Sequence, residues 1–232
     1  MEFIWQGLIQ AILILIRLDP EVMEITLLSL EISAIATGIS LFFGLPFGTL
    51  LALKKFPGHR LLLSLVNTGM AMPPVVAGLV VAIFLWRSGP LGDLGLIYTP
   101  TAIIIAQMLL AAPVVTGLTT SALQSLDPRL RFQLLGLGAN QIQVIWTLWK
   151  EARLPLLAAL MAGFGAVISE VGASMMVGGN IKGQTRLLTT AIVLETGRGN
   201  FAIAIALSVI LLLVAFLVNF ALTAIQQGRV RK

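Results

Sequence analysis

Long apolar runs follow one another along most of this chain, and they constrain its fold more than any other feature. The cleanest run, Phe201–Ile225, contains no charged residue and is longer than the roughly 20 residues that a transmembrane helix needs. Of the 232 residues, 58% are hydrophobic and only 11% are charged, and the mean hydropathy is +1.00. A soluble domain of this length could not cover so much apolar surface. The composition therefore predicts a polytopic membrane protein.

The runs predict an all-α fold with five transmembrane helices and a short N-terminal interfacial helix. The predicted spans are Ile25–Leu53, Leu61–Trp86, Pro100–Leu123, Leu154–Val177 and Phe201–Ile225. The first apolar run, Phe3–Ile16, is shorter than a span requires, so we expect it to lie in the interface or to be half embedded. Residues 1–24 would then comprise this helix and an acidic linker, and residues 25–228 the transmembrane domain. A short helix is also expected around Leu187–Leu194.

The segment Leu126–Leu157, between the third and fourth spans, is rich in basic residues although charge is scarce elsewhere. It contains Arg129, Arg131, Lys150 and Arg153. Apolar residues recur at helical spacing on both sides of Gly136 and Gly138. Because glycine permits a tight turn, the pattern predicts a short helix, a turn and a second helix that leads back into the membrane. A hairpin of this kind suits mechanical coupling to another protein.

The distribution of Lys and Arg predicts the orientation. One side of the membrane would receive ten basic residues: Lys54, Lys55, Arg60, Arg129, Arg131, Lys150, Arg153, Arg229, Arg231 and Lys232. The other side would receive five: Arg17, Arg87, Lys182, Arg186 and Arg198. Cytoplasmic loops carry the excess of basic residues, so the richer side is predicted to be cytoplasmic, together with the C-terminus. The basic residues of the cytoplasmic side account for the net charge of +5, so no nucleic-acid partner is expected.

Several classes of function lack the residues that they need. The chain has no cysteine and one histidine, His59, so we expect no metal site and no catalytic residues. It also lacks the Gly-x-x-x-x-Gly-Lys-Ser/Thr loop that cradles ATP, so active transport would need a separate ATPase. An ion-coupled secondary transporter would have only Glu31 and Glu170 as buried relays. A membrane enzyme or a non-transporting scaffold is a further alternative.

Two segments resemble type I ABC importer permeases. In the basic segment, Gly138-Ala139 matches the Gly-Ala pair of the family's coupling loop. Leu154-Pro155 matches the Leu-Pro pair that follows in the family pattern. The positions where the family has Glu-Ala-Ala hold Phe132-Gln133-Leu134 instead. The segment GFGAVISEVGASMMVGGNIKGQTRLLTTAIVLETGRGNF, Gly163–Phe201, is more specific and resembles the oxyanion permeases. The resemblance is greatest to tungstate permeases, followed by molybdate permeases.

This resemblance implies a MetI-like fold and the transmembrane subunit of an ATP-driven importer in a bacterial or archaeal cytoplasmic (inner) membrane. The implied partners are a second copy of the chain, two cytoplasmic ABC ATPase subunits that bind ATP and Mg²⁺, and an extracytoplasmic tungstate-binding protein. The expected substrate is tungstate, with molybdate or sulfate as the alternative. The coupling loop, residues 126–153, would contact the ATPase. The residues assigned to that contact are Arg129, Leu130, Arg131, Phe132, Gly138, Ala139 and Asn140.

Five residues are candidates for the pathway or its gate: Glu170, Met175, Met176, Pro73 and Pro113. A carboxylate within a span costs at least about 2.5–3.5 kcal/mol unless it faces protein or water. Glu170 would therefore line the pathway, or it would be a structural carboxyl bonded to Ser169, Ser174 or the backbone. The two methionines would form an apolar gate or fill the packing. The prolines would line a cavity or simply kink a helix.

Asn180, Lys182 and Arg186 are the candidates for contact with the anion or the binding protein on the outer face. An oxyanion is best bound by Arg, Lys or amide donors, which these side chains provide. The alternative interpretation is an ordinary solvated loop.

Overall fold

The computed structural model describes residues 2–17 and 19–228, and in this part of the chain all regular structure is helical. The helices are α1 Glu2–Arg17, α2 Pro20–Leu53, α3 His59–Met70, α4 Pro74–Leu85, α5 Pro100–Gln124, α6 Pro128–Gly136, α7 Gln141–Glu151, α8 Arg153–Ile168, α9 Gly172–Gly178, α10 Leu188–Gly197 and α11 Phe201–Gly228. A 3-10 turn, Gly92–Leu94, precedes α5. The prediction of an all-α fold is confirmed. The predicted basic tail, with Arg229, Arg231 and Lys232, lies outside the described residues.

Three helices are long and apolar enough to cross a membrane: Pro20–Leu53, Pro100–Gln124 and Phe201–Gln226. Two bent pairs also qualify if each is counted as one span: α3 with α4, bent by 104°, and α7 with α8, bent by 74°. Up to five spans result if each bent pair is counted as one. The second pair begins with α7, however, so it does not coincide with the predicted span Leu154–Val177. The second span is interrupted at Pro73-Pro74, where the sequence predicts a break. The prediction of one continuous span over Leu154–Val177 is wrong, because α8 ends at Ile168 and α9 begins at Gly172.

Helix α2 begins at Pro20, and the domain boundary predicted after residue 24 therefore falls inside it. The side chain of Asp19 accepts hydrogen bonds from the backbone N–H groups of Glu21 and Val22, at 3.0 and 3.2 Å. Proline at the first helical position has its φ angle already set for a helix. The 34 residues of α2 extend about 51 Å, which exceeds the thickness of the hydrocarbon core of a bilayer.

Helices α2 and α5 form the centre of the bundle and pack closely because one of the facing residues is glycine. A Cβ atom placed on Gly48 would lie 2.7 Å from the carbonyl oxygen of Thr116. The hydroxyl of Thr120 donates to the carbonyl of Gly48 at 3.2 Å, which closes the same contact with a hydrogen bond. Small residues allow such approaches between helices in membranes. Helix α8 packs against both α5 and α2, and α1 packs along α11.

The predicted helix–turn–helix is confirmed as α6 and α7, and the predicted short helix as α10. Gly138 has a φ of +82°, a conformation that glycine adopts without strain. Asn140 then caps α7: its side chain accepts from the N–H of Gln143 at 2.9 Å, and the Gln143 side chain accepts from the N–H of Asn140 at 2.8 Å. This reciprocal pair is a capping box, and it fixes where α7 starts.

Candidate functional site

The hairpin formed by α6 and α7 exposes large apolar side chains at its tip. The exposed fractions are 72% for Phe132, 85% for Leu137 and 79% for Ile142. On the inner side of the hairpin, Leu130 and Ala139 pack against a buried cluster that contains Val144 and Leu148 of α7. The inner side therefore holds the hairpin on the bundle, and the tip offers an apolar surface to another molecule.

Two arginines of α6, both predicted to contact a partner, have different surroundings. Arg131 Nη1 donates to the carbonyl oxygen of Leu53, the last residue of α2, at 2.9 Å. The last carbonyls of a helix have no partner within the helix and attract cations. Arg129 is exposed, and its backbone N–H donates to the Asp127 carboxylate at 2.8 Å. Arg131 therefore joins α6 to α2, whereas the Arg129 side chain is available at the surface of α6.

A second hydrogen bond, which was not predicted from sequence, joins the hairpin to α2. Trp149 Nε1 of α7 donates to Thr49 Oγ1 at 2.9 Å. Thr49 is 4% exposed and donates in turn to the carbonyl of Leu45 at 2.7 Å. Both helices of the hairpin are thus bonded to the final turns of α2, so a displacement of the hairpin would be transmitted to that helix.

Glu170 lies in the break between α8 and α9, where it is 4% exposed. Its Oε1 accepts from the N–H of Ala173 at 2.6 Å, and its Oε2 accepts from the N–H and hydroxyl of Ser174 at 2.9 and 2.7 Å. Its carbonyl accepts from Thr189 Oγ1 at 2.9 Å. The carboxylate caps α9 and its backbone contacts α10, which explains why the helix is interrupted here and why a buried acid is tolerated.

Gln107, which sequence reasoning missed, extends this network into α5. It is 1% exposed, and its Nε2 lies 3.5 Å from Ser174 Oγ and 3.3 Å from the carbonyl of Val167. Among the described residues, Gln107 Oε1 is one of the buried polar atoms without a hydrogen-bond partner. The signal in the sequence was an amide within the apolar run of α5. A buried amide needs a partner for the same reason that a buried carboxylate does.

The remaining pathway candidates lie around this break or along α5. Met175 is 36% exposed on α9, and Met176 packs against α4 near Gly78. Pro73 precedes α4 at the 104° bend, and Pro113 lies inside an unbroken α5. The structure therefore groups Glu170 with the methionines on α9. Pro73 lies at the neighbouring break, and Pro113 is apart from both.

Several glycines of the fourth apolar run pack closely within the chain. A Cβ atom on Gly163 would lie 2.8 Å from Val115, and one on Gly178 would lie 2.7 Å from Ile103. Gly78 of α4 makes a close approach to the backbone of α9, because an added Cβ would lie 2.6 Å from the Cα of Ala173. These glycines therefore bring α8 and α9 close to α5, and α4 close to α9.

The outer-face candidates form two small groups near the start of α2. Lys182 Nζ lies 2.6 Å from a carboxylate oxygen of Glu21, and Arg186 Nη1 lies 3.6 Å from the other. Asn180 exchanges hydrogen bonds with Thr190: its side-chain oxygen accepts from Thr190 Oγ1 at 2.9 Å, and its amide donates to the Thr190 carbonyl at 3.3 Å. Asn180 therefore stabilises the loop before α10, and the two cations lie beside Glu21.

Glu31 is exposed although it lies well inside α2. Glu31 lies 11 residues into α2, about 17 Å along the helix axis from Pro20. A carboxylate at that depth costs at least about 2.5–3.5 kcal/mol in contact with lipid. This face of α2 is therefore expected to meet protein or water.

Comparison with solved structures confirms the predicted type I permease fold. A chain of the inward-facing MetNI methionine ABC transporter superimposes with a TM-score of 0.73 and 21% sequence identity. The superposition covers 93% of this chain and 97% of that one. At this identity the likeness concerns the fold alone.

Sequence comparison gives relatives that are more similar. The tungstate uptake system permease protein TupB of Peptoclostridium acidaminophilum is 40% identical over 227 residues, which is 98% of this chain and 100% of TupB. The molybdenum transport system permease protein ModB of Escherichia coli K12 is 28% identical over 93% of this chain and 99% of ModB. The resemblance inferred from the sequence is thereby confirmed.

The family model for binding-protein-dependent transport system inner membrane components matches residues 44–231, which is most of the chain, from the last third of α2 onward. Proteins of this kind are permease subunits and not themselves enzymes. The helical bundle, the exposed hairpin and these matches agree, and the chain belongs to the family of inner membrane components of binding-protein-dependent transport systems.

Proposed function

We propose that this chain is the permease subunit of an ATP-driven importer of tungstate. The observation that carries the substrate assignment is 40% identity to a tungstate permease over 98% of the chain. The molybdate permease is more distant, at 28% identity. Molybdate and sulfate resemble tungstate in charge and shape, so they are the alternatives that an experiment must exclude.

The tip of the α6–α7 hairpin is the proposed contact for a cytoplasmic ATPase. Phe132, Leu137 and Ile142 supply exposed apolar area, and Arg129 supplies a positive charge beside it. An apolar helix face that enters a groove is a common mode of recognition. Gly138 and Asn140 shape the turn and are exposed there. This assignment requires the hairpin and the C-terminus to be cytoplasmic, as the distribution of basic residues favours.

Transport would then use ATP and Mg²⁺ held by two such ATPase subunits. Movement of the hairpin would pass to α2 through the Arg131–Leu53 and Trp149–Thr49 hydrogen bonds. Because α2 is one long helix, its far end would move with the hairpin. There, Ser29 Oγ accepts from the N–H of Leu188 at the start of α10, at 2.9 Å.

A second copy of the chain is proposed to cover the face of α2 that carries Glu31. The exposed carboxylate lies at a depth where contact with lipid is unfavourable, which supports a protein interface or a hydrated pathway on this side. Gly38 lies on the same helix with open space in front of it, so a partner helix could approach closely.

The break around Glu170 is proposed to form the gate. The carboxylate fixes the start of α9, and Met175 is the exposed apolar side chain on that helix. Because both carboxylate oxygens of Glu170 accept hydrogen bonds from α9, its proposed role is to position α9, and it would not contact the anion. Lys182 and Arg186 lie near the end at which an extracytoplasmic tungstate-binding protein would dock.

The direct test is ATPase activity of the reconstituted complex of permease, ATPase and external binding protein. Tungstate is expected to stimulate hydrolysis more strongly than molybdate, with no stimulation by sulfate. Stimulation by sulfate but not by tungstate would overturn the substrate assignment. Uptake by the permease alone, driven by an ion gradient without ATP, would instead support a secondary transporter.

A further inference from the structure

A cleft with a volume of about 750 Å³ opens between α1, α2, α10 and α11. This volume lies within the usual range for small-molecule sites, roughly 300–1,000 Å³. The cleft is separate from the Glu170 break and from the α6–α7 hairpin. None of the functions proposed above uses it as a whole.

Among the described residues that line the rim of the cleft, three are basic and three are acidic. The basic residues are Lys182, Arg186 and Arg198, and the acidic residues are Asp19, Glu21 and Glu195. Arg198 is paired with Glu195 at 2.9 Å, and Asp19 caps α2. Lys182 and Arg186 share the single carboxylate of Glu21. The local excess of positive charge is therefore at Lys182 and Arg186.

Arg186 has hydrogen-bonding capacity that the described residues do not fill. Its side chain is only 14% exposed, its Nη1 lies at 3.6 Å from Glu21, and its buried Nε has no partner in the described part of the chain. A buried guanidinium donor normally has an acceptor. A phosphate group would supply several anionic acceptors in the geometry that arginine prefers.

Below the rim the cleft is apolar. Its walls include Ile25 of α2, Leu207 of α11 and Leu13 of α1. Leu207 lies six residues into the apolar run of α11, so the cleft reaches about 9 Å below the start of that run. The outer side of α1 exposes Ile12 and Ile16, at 57% and 73%. A helix with such a face at the periphery of a membrane protein contacts lipid, and the cleft is therefore next to lipid.

We infer that this cleft binds the head group and upper acyl chain of a phospholipid that carries a phosphate and a primary ammonium group. The phosphate would meet Arg186 and Lys182, and the ammonium would meet the Glu21 carboxylate that these two cations now share. The acyl chain would lie along the apolar wall. A free dianion fits less well, because three carboxylates line the same rim and the lower half offers no donors.

The test is native mass spectrometry of the purified complex after exchange into micelles that contain phosphatidylethanolamine, phosphatidylcholine or phosphatidylglycerol. Phosphatidylethanolamine is expected to be retained at least fivefold more than either of the other two. Arg186→Gln should reduce that retention at least fivefold. Arg87→Gln, which removes an exposed cation outside the cleft, should leave it unchanged.

If Arg186→Gln fails to assemble, Ile203→Trp is the second variant, because Ile203 is 38% exposed on the wall of the cleft and a larger ring there would fill it. It should reduce phosphatidylethanolamine retention while the complex stays assembled. Equal retention of the three lipids, or equal retention by wild type and both variants, would overturn the inference. Displacement of the lipid by tungstate would also overturn it and would assign the cleft to a free oxyanion. Loss of binding-protein affinity in Arg186→Gln without loss of lipid would assign it to that protein.

Discussion

Trp149 Nε1 donates a hydrogen bond to Thr49 Oγ1 at 2.9 Å and thereby ties α7 to the last turns of α2. Residues 100 positions apart in the chain are joined at the point where the proposed ATPase contact meets the membrane bundle. Phenylalanine at position 149 would keep most of the ring and remove the donor. The hydrogen bond is worth about 0.5–1.5 kcal/mol, and about 1 kcal/mol corresponds to roughly fivefold in an equilibrium.

We therefore expect Trp149→Phe to reduce the ratio of tungstate-stimulated to basal ATPase activity by about this factor of five, with the complex still assembled. Thr49→Val should have a similar effect, and the double variant little more than either single change. Trp146→Phe is the matched control, because Trp146 is exposed on the same helix. Equal effects at positions 146 and 149 would contradict the role assigned to the hydrogen bond.

Substitutions of Arg129 and of Arg131 should have different effects, the first on binding of the ATPase and the second on the stability of the permease. Arg131→Met leaves the Leu53 carbonyl without its charged donor, which costs about 1.5–3 kcal/mol. For a chain of this size that corresponds to a melting temperature lower by roughly 3–10 °C. Arg129→Met should leave the melting temperature of the isolated permease unchanged but weaken its co-purification with the ATPase. If both changes lower the melting temperature equally, the distinction between them is wrong.

Glu170→Gln tests the cap of α9. The amide NH₂ would point at one of the N–H donors that the carboxylate now accepts, at Ala173 or Ser174. A buried donor left without an acceptor costs about 1–3 kcal/mol, so thermal stability in detergent should fall and transport should be impaired. Glu24→Gln, at an exposed position of α2, should change neither. Retention of full stability and uptake by Glu170→Gln would show that the cap does not position α9.

Gly78→Ala tests the close contact between α4 and α9. The new methyl group would lie 2.6 Å from the Cα of Ala173, so the two helices must separate. Overpacking of this kind costs about 1–3 kcal/mol. Gly165→Ala is the control, because nothing lies within 4 Å of the position of its Cβ, and alanine favours a helix by about 1 kcal/mol. Gly78→Ala should therefore have a lower melting temperature than Gly165→Ala. The reverse order would contradict the described packing.

Sequence patterns predicted the helical class and the α6–α7 hairpin because these depend on local signals, whereas the fold family followed from the resemblance to known permeases. The apolar runs, the glycine turn before Asn140 and the basic residues around it can all be read along the chain. The interruption of the fourth span was missed because hydropathy does not report how a carboxylate is satisfied. The Glu170 side chain accepts hydrogen bonds from the backbone N–H groups of Ala173 and Ser174, three and four positions later in the chain. These bonds take the place of the backbone hydrogen bonds of a continuous helix.

The long-range contacts could not be predicted from sequence. Nothing in the sequence indicates that Arg131 reaches the end of α2, or that Gln107 lies beside Ser174. These contacts depend on the packing of α2 and α5, which small residues such as Gly48 permit. As a consequence, sequence reasoning assigned Arg131 to the partner surface, whereas the structure directs its side chain into its own subunit.

The central claim is that the α6–α7 hairpin is a cytoplasmic surface for an ATPase, and labelling of Leu137→Cys tests it most directly. The chain has no cysteine, and Leu137 is 85% exposed at the tip, so a single new thiol would report on that position alone. A membrane-impermeant maleimide should label it in inside-out vesicles stripped of ATPase but not in intact spheroplasts. Added ATPase should protect it. Labelling in intact spheroplasts, or equal labelling with and without bound ATPase, would contradict the account.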